Sequence, residues 1–480
     1  MKSVTGILAL VLLLLIAACA PAPMGGGETG TGFGPVAAKG RITGFGSVFV
    51  NGVEYETSGS QFSLDDNPGS ENELMIGMVV TVHGSINADG STGAASYISF
   101  SDELEGVVTL NDIAGSSKLV VMGQNVFVDG STVYSNSTGD ITYDLIDSVA
   151  ANHIVEVSGF SAGNGDIYAS RVELKKIVLG ANDEIELKGI VNAVNTTAKT
   201  FNIGLQEISY ALAELKNLTE AALLAGDGSL YVEVKAASYA ASLPAASVEP
   251  EGDGKLGISG NDGDSLELEG VITGVNNPAG TLTINGQQVI MPAGFDFTSV
   301  LAGHKFEVEG VFNADGVLVA SEYETREEGN IVIMANVTTV DAASNLLVVL
   351  GKTLSINAST VMEDDRNDGI APVRYFSISD LRGVDASAAY NGDWVELKVR
   401  DDNGIFRVTE LVRESDPATG KVALEGPAGV TGTTVTSIAG IPVECSANVK
   451  CSDVYLDGDI VQSTGSFNNN LLTVGVSDNF

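Results

Sequence analysis

One segment recurs along this chain at intervals near seventy-five residues, and a recurring unit that short restricts the fold to small domains built alike. The clearest copy is Gly77-Met78-Val79-Val80-Thr81-Val82-His83-Gly84, followed by the turn Asn87-Ala88-Asp89-Gly90. It returns as Gly303-His304-Lys305-Phe306-Glu307-Val308-Glu309-Gly310 with Asn313-Ala314-Asp315-Gly316. Looser copies begin at Asn152, Gly228, Gly392 and Gly458, so successive starts lie 75, 76, 75, 89 and 66 residues apart. A steady period of this length marks tandem units.

Inside each unit the pattern is that of strands: apolar runs of four to six residues, rich in Val and Ile and bounded by Gly, Asn and Asp. Each opens with Gly and a β-branched run, at Gly40, Gly106, Gly189, Gly270, Gly329 and Gly420. Three share a lead-in, Glu103-Leu104-Glu105, Glu186-Leu187-Lys188 and Glu267-Leu268-Glu269. A hairpin follows, signalled by Asn51-Gly52 and Asn285-Gly286 between apolar runs. Helical spacing is clearest at Leu212, Leu215, Leu218, Ala222 and Leu223, with Gly226 as C-cap. Three strands, a short helix and two strands is the order of a five-stranded OB-like β-barrel. An immunoglobulin-like sandwich needs about seven strands and roughly a hundred residues.

The expectation is therefore an all-β chain of about six tandem small OB-like barrels, set in a row as a rod. Residues 39–103, 104–176, 177–240, 267–328, 329–414 and 415–480 are the six repeats. Residues 241–266 are acidic, rich in Pro and Gly and without alternation, and read as a linker between three repeats and three, or as an irregular insertion at the end of the third.

The first forty residues carry an address. Lys2 precedes the apolar run Ile7 to Ala18, too short to span a bilayer, and then Cys19. Ile16-Ala17-Ala18-Cys19 resembles a bacterial lipobox, which implies cleavage after residue 18 and acylation of Cys19. Two or three acyl chains hold a protein on a membrane where one does not. Ala20 after the Cys implies, by the same resemblance, the outer membrane of a Gram-negative cell. Residues 19–38 then form a flexible Gly/Pro tether. The expected partners are the membrane, through that anchor, and an envelope protein or glycan.

The charge excludes another class. With 24 Lys+Arg against 62 Asp+Glu, the net charge of −38 leaves no basic face for nucleic acid. Cys445 and Cys451, with five residues between them in the last unit, suit a disulfide across a hairpin in an oxidising envelope. Zinc needs about four ligands, and His83, His153 and His304 lie far upstream.

The residues 40–55 (GRITGFGSVFVNGVEY), followed by Gly77-Met78-Val79-Val80, resemble the bacterial domain of unknown function 5666 family. Val155 to Phe160 and Phe306 to Gly310 are similar to its recurring strand. The first two units match it most closely, the fourth fairly well, and the third, fifth and sixth in outline. The resemblance implies repeated small β-domains in secreted or lipid-anchored proteins and carries over no catalytic residue.

Several motifs imitate chemistry. Gly159-Phe160-Ser161-Ala162-Gly163 has the letters of a nucleophile elbow but turns into another strand. Gly252 to Gly257 fits a dinucleotide fingerprint with no strand entering and no helix leaving. The calcium candidates are Asp65 and Asp66 with Glu71 and Glu73, Asp262 with Asp264, and Asp364 and Asp365 with Asp368. None has EF-hand spacing, and so many acids in Gly-rich loops cluster without a ligand. Trp394, with Lys398, Arg400, Arg407 and Arg413, reads as core plus a polar face. The resulting expectation is a non-enzymatic binding or scaffolding protein without cofactor. Its alternatives are a polysaccharide hydrolase using a carboxylate pair between domains and a calcium-dependent adhesion module.

Overall fold

The computed structural model describes residues 35–480 except 130, 144, 299, 326–330, 358–359, 365, 367–375, 386–390, 403, 418–419, 433, 446–455 and 475–480. In the first unit, Val36–Phe45, Val48–Val50 and Val53–Glu56 form a meander. Val53–Glu56 then pairs in parallel with the last strand, Thr92–Phe100, and Val79–Ile86 lies antiparallel between that strand and the first. The sheet closes in the order one, two, three, five, four, one. That closure removes both edges, and it is the strand order of an OB barrel.

The same closure repeats in the second unit, the fourth, the fifth and the sixth. The third closes likewise, with its first strand in two pieces, Ile185–Ile190 and Asn192–Asn195. Its last strand is also in two pieces, Ser242–Pro244 and Ser247–Pro250. Residues 241–250 are thus part of a barrel and not of a linker. Alternation is hidden there by Pro244 and Pro250, which a strand tolerates at its ends.

The connection from strand three to strand four departs from expectation. A second short strand, Gln61–Leu64, Val133–Asn136 or Val361–Asp364, pairs in parallel with the far part of the last strand. Short 3-10 turns follow at Glu71–Glu73, at Ile141–Tyr143 and Ile146–Ser148, and at Ile378–Asp380. Among the described residues only the third barrel has an α-helix in this connection, Glu220–Ala225. Thr219 Oγ1 caps it by accepting from the Ala222 amide, and Gly226 ends it. Leu212 and Leu215 lie before it, Leu212 exposed and Leu215 in a two-residue strand.

The barrels do not stand in a row. The first strand of barrel one pairs in parallel with that of barrel four, Ala38 opposite Glu267 and Lys39 opposite Leu268. The first strands of barrels two and three pair antiparallel, as do those of five and six. One apolar core runs through barrels two and three and another through five and six. Val79, Phe160 and Val271, from barrels one, two and four, form a small core of their own. The Val79 amide donates to Ser158 Oγ at 2.7 Å and Ser170 Oγ donates to the Gly77 carbonyl at 2.6 Å, tying barrel one to barrel two.

Candidate functional site

The lead-in Glu-Leu-Glu/Lys lies at the start of the first strand, where barrels pair. Period-two alternation sends Leu104 and Leu187 to one face, where both are fully buried. Their neighbours go to the other face. There Glu173, Glu156, Glu105 and Glu186 stand directly opposite one another on four successive strands, with Lys235 next in the row. Like charges so placed repel. In the adjacent row Lys188 faces Glu233 and Glu233 faces Glu249.

Barrel one covers this acidic face. Ser101 and Asp102, just past its last strand, reach Lys188, and the Asp102 amide donates to Asp65 Oδ1 at 3.2 Å. Lys188 Nζ lies 2.9 Å from Glu186, 3.7 Å from Glu233 and 3.8 Å from Asp102, and donates to the Asp102 carbonyl at 2.7 Å. Lys235 bridges Glu186 and Glu233 at 3.3 and 3.2 Å. Burial alone would discharge Lys188, but the carboxylates of Glu251, Glu186, Asp102 and Glu233 hold it firmly protonated. Burial, reinforced by Glu186, pushes the Asp102 carboxyl well up. Burial likewise takes Glu105 to about 7, with Lys175 pulling it down and Glu156 pushing it up. In the Glu186–Glu233 pair, burial raises Glu233 while the two lysines keep Glu186 ionised.

Beside the cluster is a cavity of about 70 Å³ lined by Lys39, Ser101, Asp102, Glu103, Lys188 and Tyr231, and closed by residues 251–257. Tyr231 Oη donates to Glu103 at 2.8 Å across it. The Gly252 to Gly257 motif is therefore a cavity wall. A strand, Ser247–Pro250, does enter it, but no helix follows, so no helix N-terminus is available to a pyrophosphate.

The calcium candidates separate. Asp65 lies in the Leu64–Asn67 turn with φ +45° and joins the edge of the buried cluster, while Asp66 is exposed. Glu73 caps Ser70, and Glu71 accepts from Thr57. Asp264 accepts from the Asn261 amide, and Asp262 is exposed. Asp364 is no cation ligand: Arg413 and Arg366 occupy both of its oxygens. Asp365 and Asp368 lie outside the described residues, as do Cys19 and Cys451. Cys445 ends the strand Ile441–Cys445 and is disulfide-bonded. Trp394 is buried, and its basic neighbours Lys398, Arg400 and Arg413 form ion pairs with Glu410, Glu324 and Asp364. Ser161 is buried at the end of the strand Ile154–Ser161, with no helix after it.

Sequence reading missed Asp102, Glu105 and Glu156 as a group. The signal was the shared lead-in, whose outward acids become interior once barrels pair.

A family model described as domain of unknown function (DUF5666) matches residues 34–99, 105–173, 269–324 and 335–410, more than half of the chain. These regions fall on barrels one, two, four and five, so the fifth is nearer the family than its outline suggested. Barrels three and six share the topology without a match. No curated protein matches the chain.

Proposed function

The chain belongs to the DUF5666 family of domains of unknown function, and from that membership we propose a lipid-anchored bacterial envelope protein that docks protein or glycan partners without catalysis. The observation that carries this reading is the pairing of barrels through their first strands, at three seams. Pairing of that kind makes a scaffold that presents many hairpin rims at fixed spacing. Acylation at Cys19 and the tether after it would hold the scaffold off the outer membrane.

The cavity at the seam favours docking over hydrolysis. Its volume of about 70 Å³ suits a few waters, whereas small-molecule pockets run to roughly 300–1,000 Å³. Among its carboxylates Glu103 is held by Tyr231 and Asp253 by Lys255, and they are not set out as an acid and a base across a sugar.

Two measurements test the reading. Cys19→Ala is expected to move the protein from the detergent phase to the aqueous phase, and unchanged partition would refute the anchor. Cross-linking in the intact envelope, followed by capture of the full chain, is expected to enrich one protein or glycan. Release of reducing ends from envelope polysaccharide by the purified chain would replace docking with hydrolysis.

A further inference from the structure

We propose that Asp102, Glu105 and Glu156 bind one hard divalent cation at the seam where barrel one rests on barrels two and three. Each offers a carboxylate oxygen, and the three oxygens lie within 4.8 Å of one another. Two oxygens on opposite sides of a Ca²⁺ ion, at about 2.4 Å each, are about 4.8 Å apart, so these three fit around a single ion.

A second observation is independent of the clustering. Asp102 is 4% exposed, and its Oδ1 accepts no hydrogen bond. A buried carboxylate oxygen left so is costly unless a cation meets it. Lys188 makes only a loose ion pair with it: its Nζ is 3.8 Å from Asp102 Oδ1, beyond hydrogen-bond reach, and its protons go to Ser101 Oγ, the Asp102 carbonyl and Glu186. Lys175 binds Glu156 Oε2 at 2.6 Å and so engages one oxygen of that side chain.

The setting also differs from the acidic loops elsewhere in the chain. Glu105 and Glu156 are opposite each other on paired strands, which fixes their separation. Asp102 also lines the 70 Å³ cavity, which gives room for waters on its side of the ion. The ion would neutralise like charges that face one another across the ladder. This site stands whether or not the envelope reading does.

The test is calorimetric titration of the full chain with Ca²⁺, and separately with Mg²⁺. One ion per chain is expected at this site, with Glu105→Gln weakening its affinity tenfold or more and Asp262→Asn, in an exposed loop, leaving it unchanged. Crystals soaked in Mn²⁺ would place the ion directly, with an anomalous peak expected between the three carboxylates, a result that stands even if Glu105→Gln fails to fold. No binding, equal binding by Glu105→Gln, or a peak elsewhere overturns the site.

Discussion

Asp364 shows how a single acid reads differently once its neighbours are known. Arg366 holds its two oxygens at 2.8 and 2.9 Å, and Arg413 bonds the same two oxygens with a second guanidinium. Arg413 is itself fixed by donating to the Asp380 carbonyl at 2.8 Å and by lying 4.4 Å from the Phe376 ring centre. Burial pushes the Asp364 carboxyl up, but the two arginines outweigh it and bring it from 3.8 to about 2. A depressed folded value stabilises the fold above the unfolded value, and that stability is lost as pH falls through the folded one. Between pH 5 and 2 the wild type should therefore lose about 2 kcal/mol more than Asp364→Asn, read from denaturant unfolding at each pH. At pH 7 the same variant should cost about 1.5–3 kcal/mol, because it weakens the hydrogen bonds to the buried Arg413 guanidinium and leaves Asp393, 3.5 Å away, as its counter-charge. An equal pH slope in the two proteins would show that this pair does not govern acid stability.

At the scale of elements, two sequence signals turn out to be one device. A Cβ on Gly40 would lie 1.8 Å from Asn51 Oδ1, and one on Gly270 would lie 2.2 Å from Asn285 Nδ2. The hairpin asparagine folds back onto the first strand, so the strand must carry Gly there. Asn51 Nδ2 donates to the Lys39 and Glu267 carbonyls, and Asn285 Oδ1 accepts from the Val271 amide at 2.9 Å. In the sixth barrel the glycine so placed is Gly426, against Ala439, and not the Gly420 that the sequence pattern marks. Gly286 adds a second constraint: its φ is +77°, and a Cβ there would meet the Leu256 carbonyl oxygen at 2.2 Å. Gly316 has φ +73° with open space around it. Gly316→Ala should thus cost roughly 1–2 kcal/mol for left-handed backbone alone, and Gly286→Ala clearly more, measured as unfolding free energies. Equal losses would mean that residues 251–257 do not rest on that hairpin.

For the whole molecule, the decisive contacts join parts of the chain that are far apart in sequence. Arg41 Nε lies 3.1 Å from Glu269 Oε1, and the Arg41 amide donates to Glu269 Oε2 at 3.0 Å, across 228 residues. Lys305 of barrel four donates to Ser131 of barrel two at 2.8 Å, and Arg400 of barrel five to the Thr325 carbonyl of barrel four at 2.9 Å. Ala38 and Glu267 are partners on adjacent parallel strands, a spacing within disulfide reach. The double variant Ala38→Cys, Glu267→Cys should oxidise to an intrachain cross-link, seen as a faster-migrating band without reductant. A rod of barrels would keep those thiols apart and give no such band.

The sequence by itself determined the strand order, the barrel and the count of six, because alternation, glycine at tight turns and a repeated period are local properties that survive in any arrangement of the units. Period-two alternation in Glu103-Leu104-Glu105 and Glu186-Leu187-Lys188 puts the charged residues on the face away from the apolar side. Only the tertiary structure decided that this outward face becomes interior and which barrels meet there. It also decided that residues 241–250, unreadable as a strand, complete the third barrel by pairing with Gln206–Ser209 and Tyr231–Ala236. Burying a charged face depends on complementary groups brought from distant residues, the Ser101 hydroxyl and Asp102 carbonyl to Lys188 or Arg41 to Glu269, and no local pattern encodes that match.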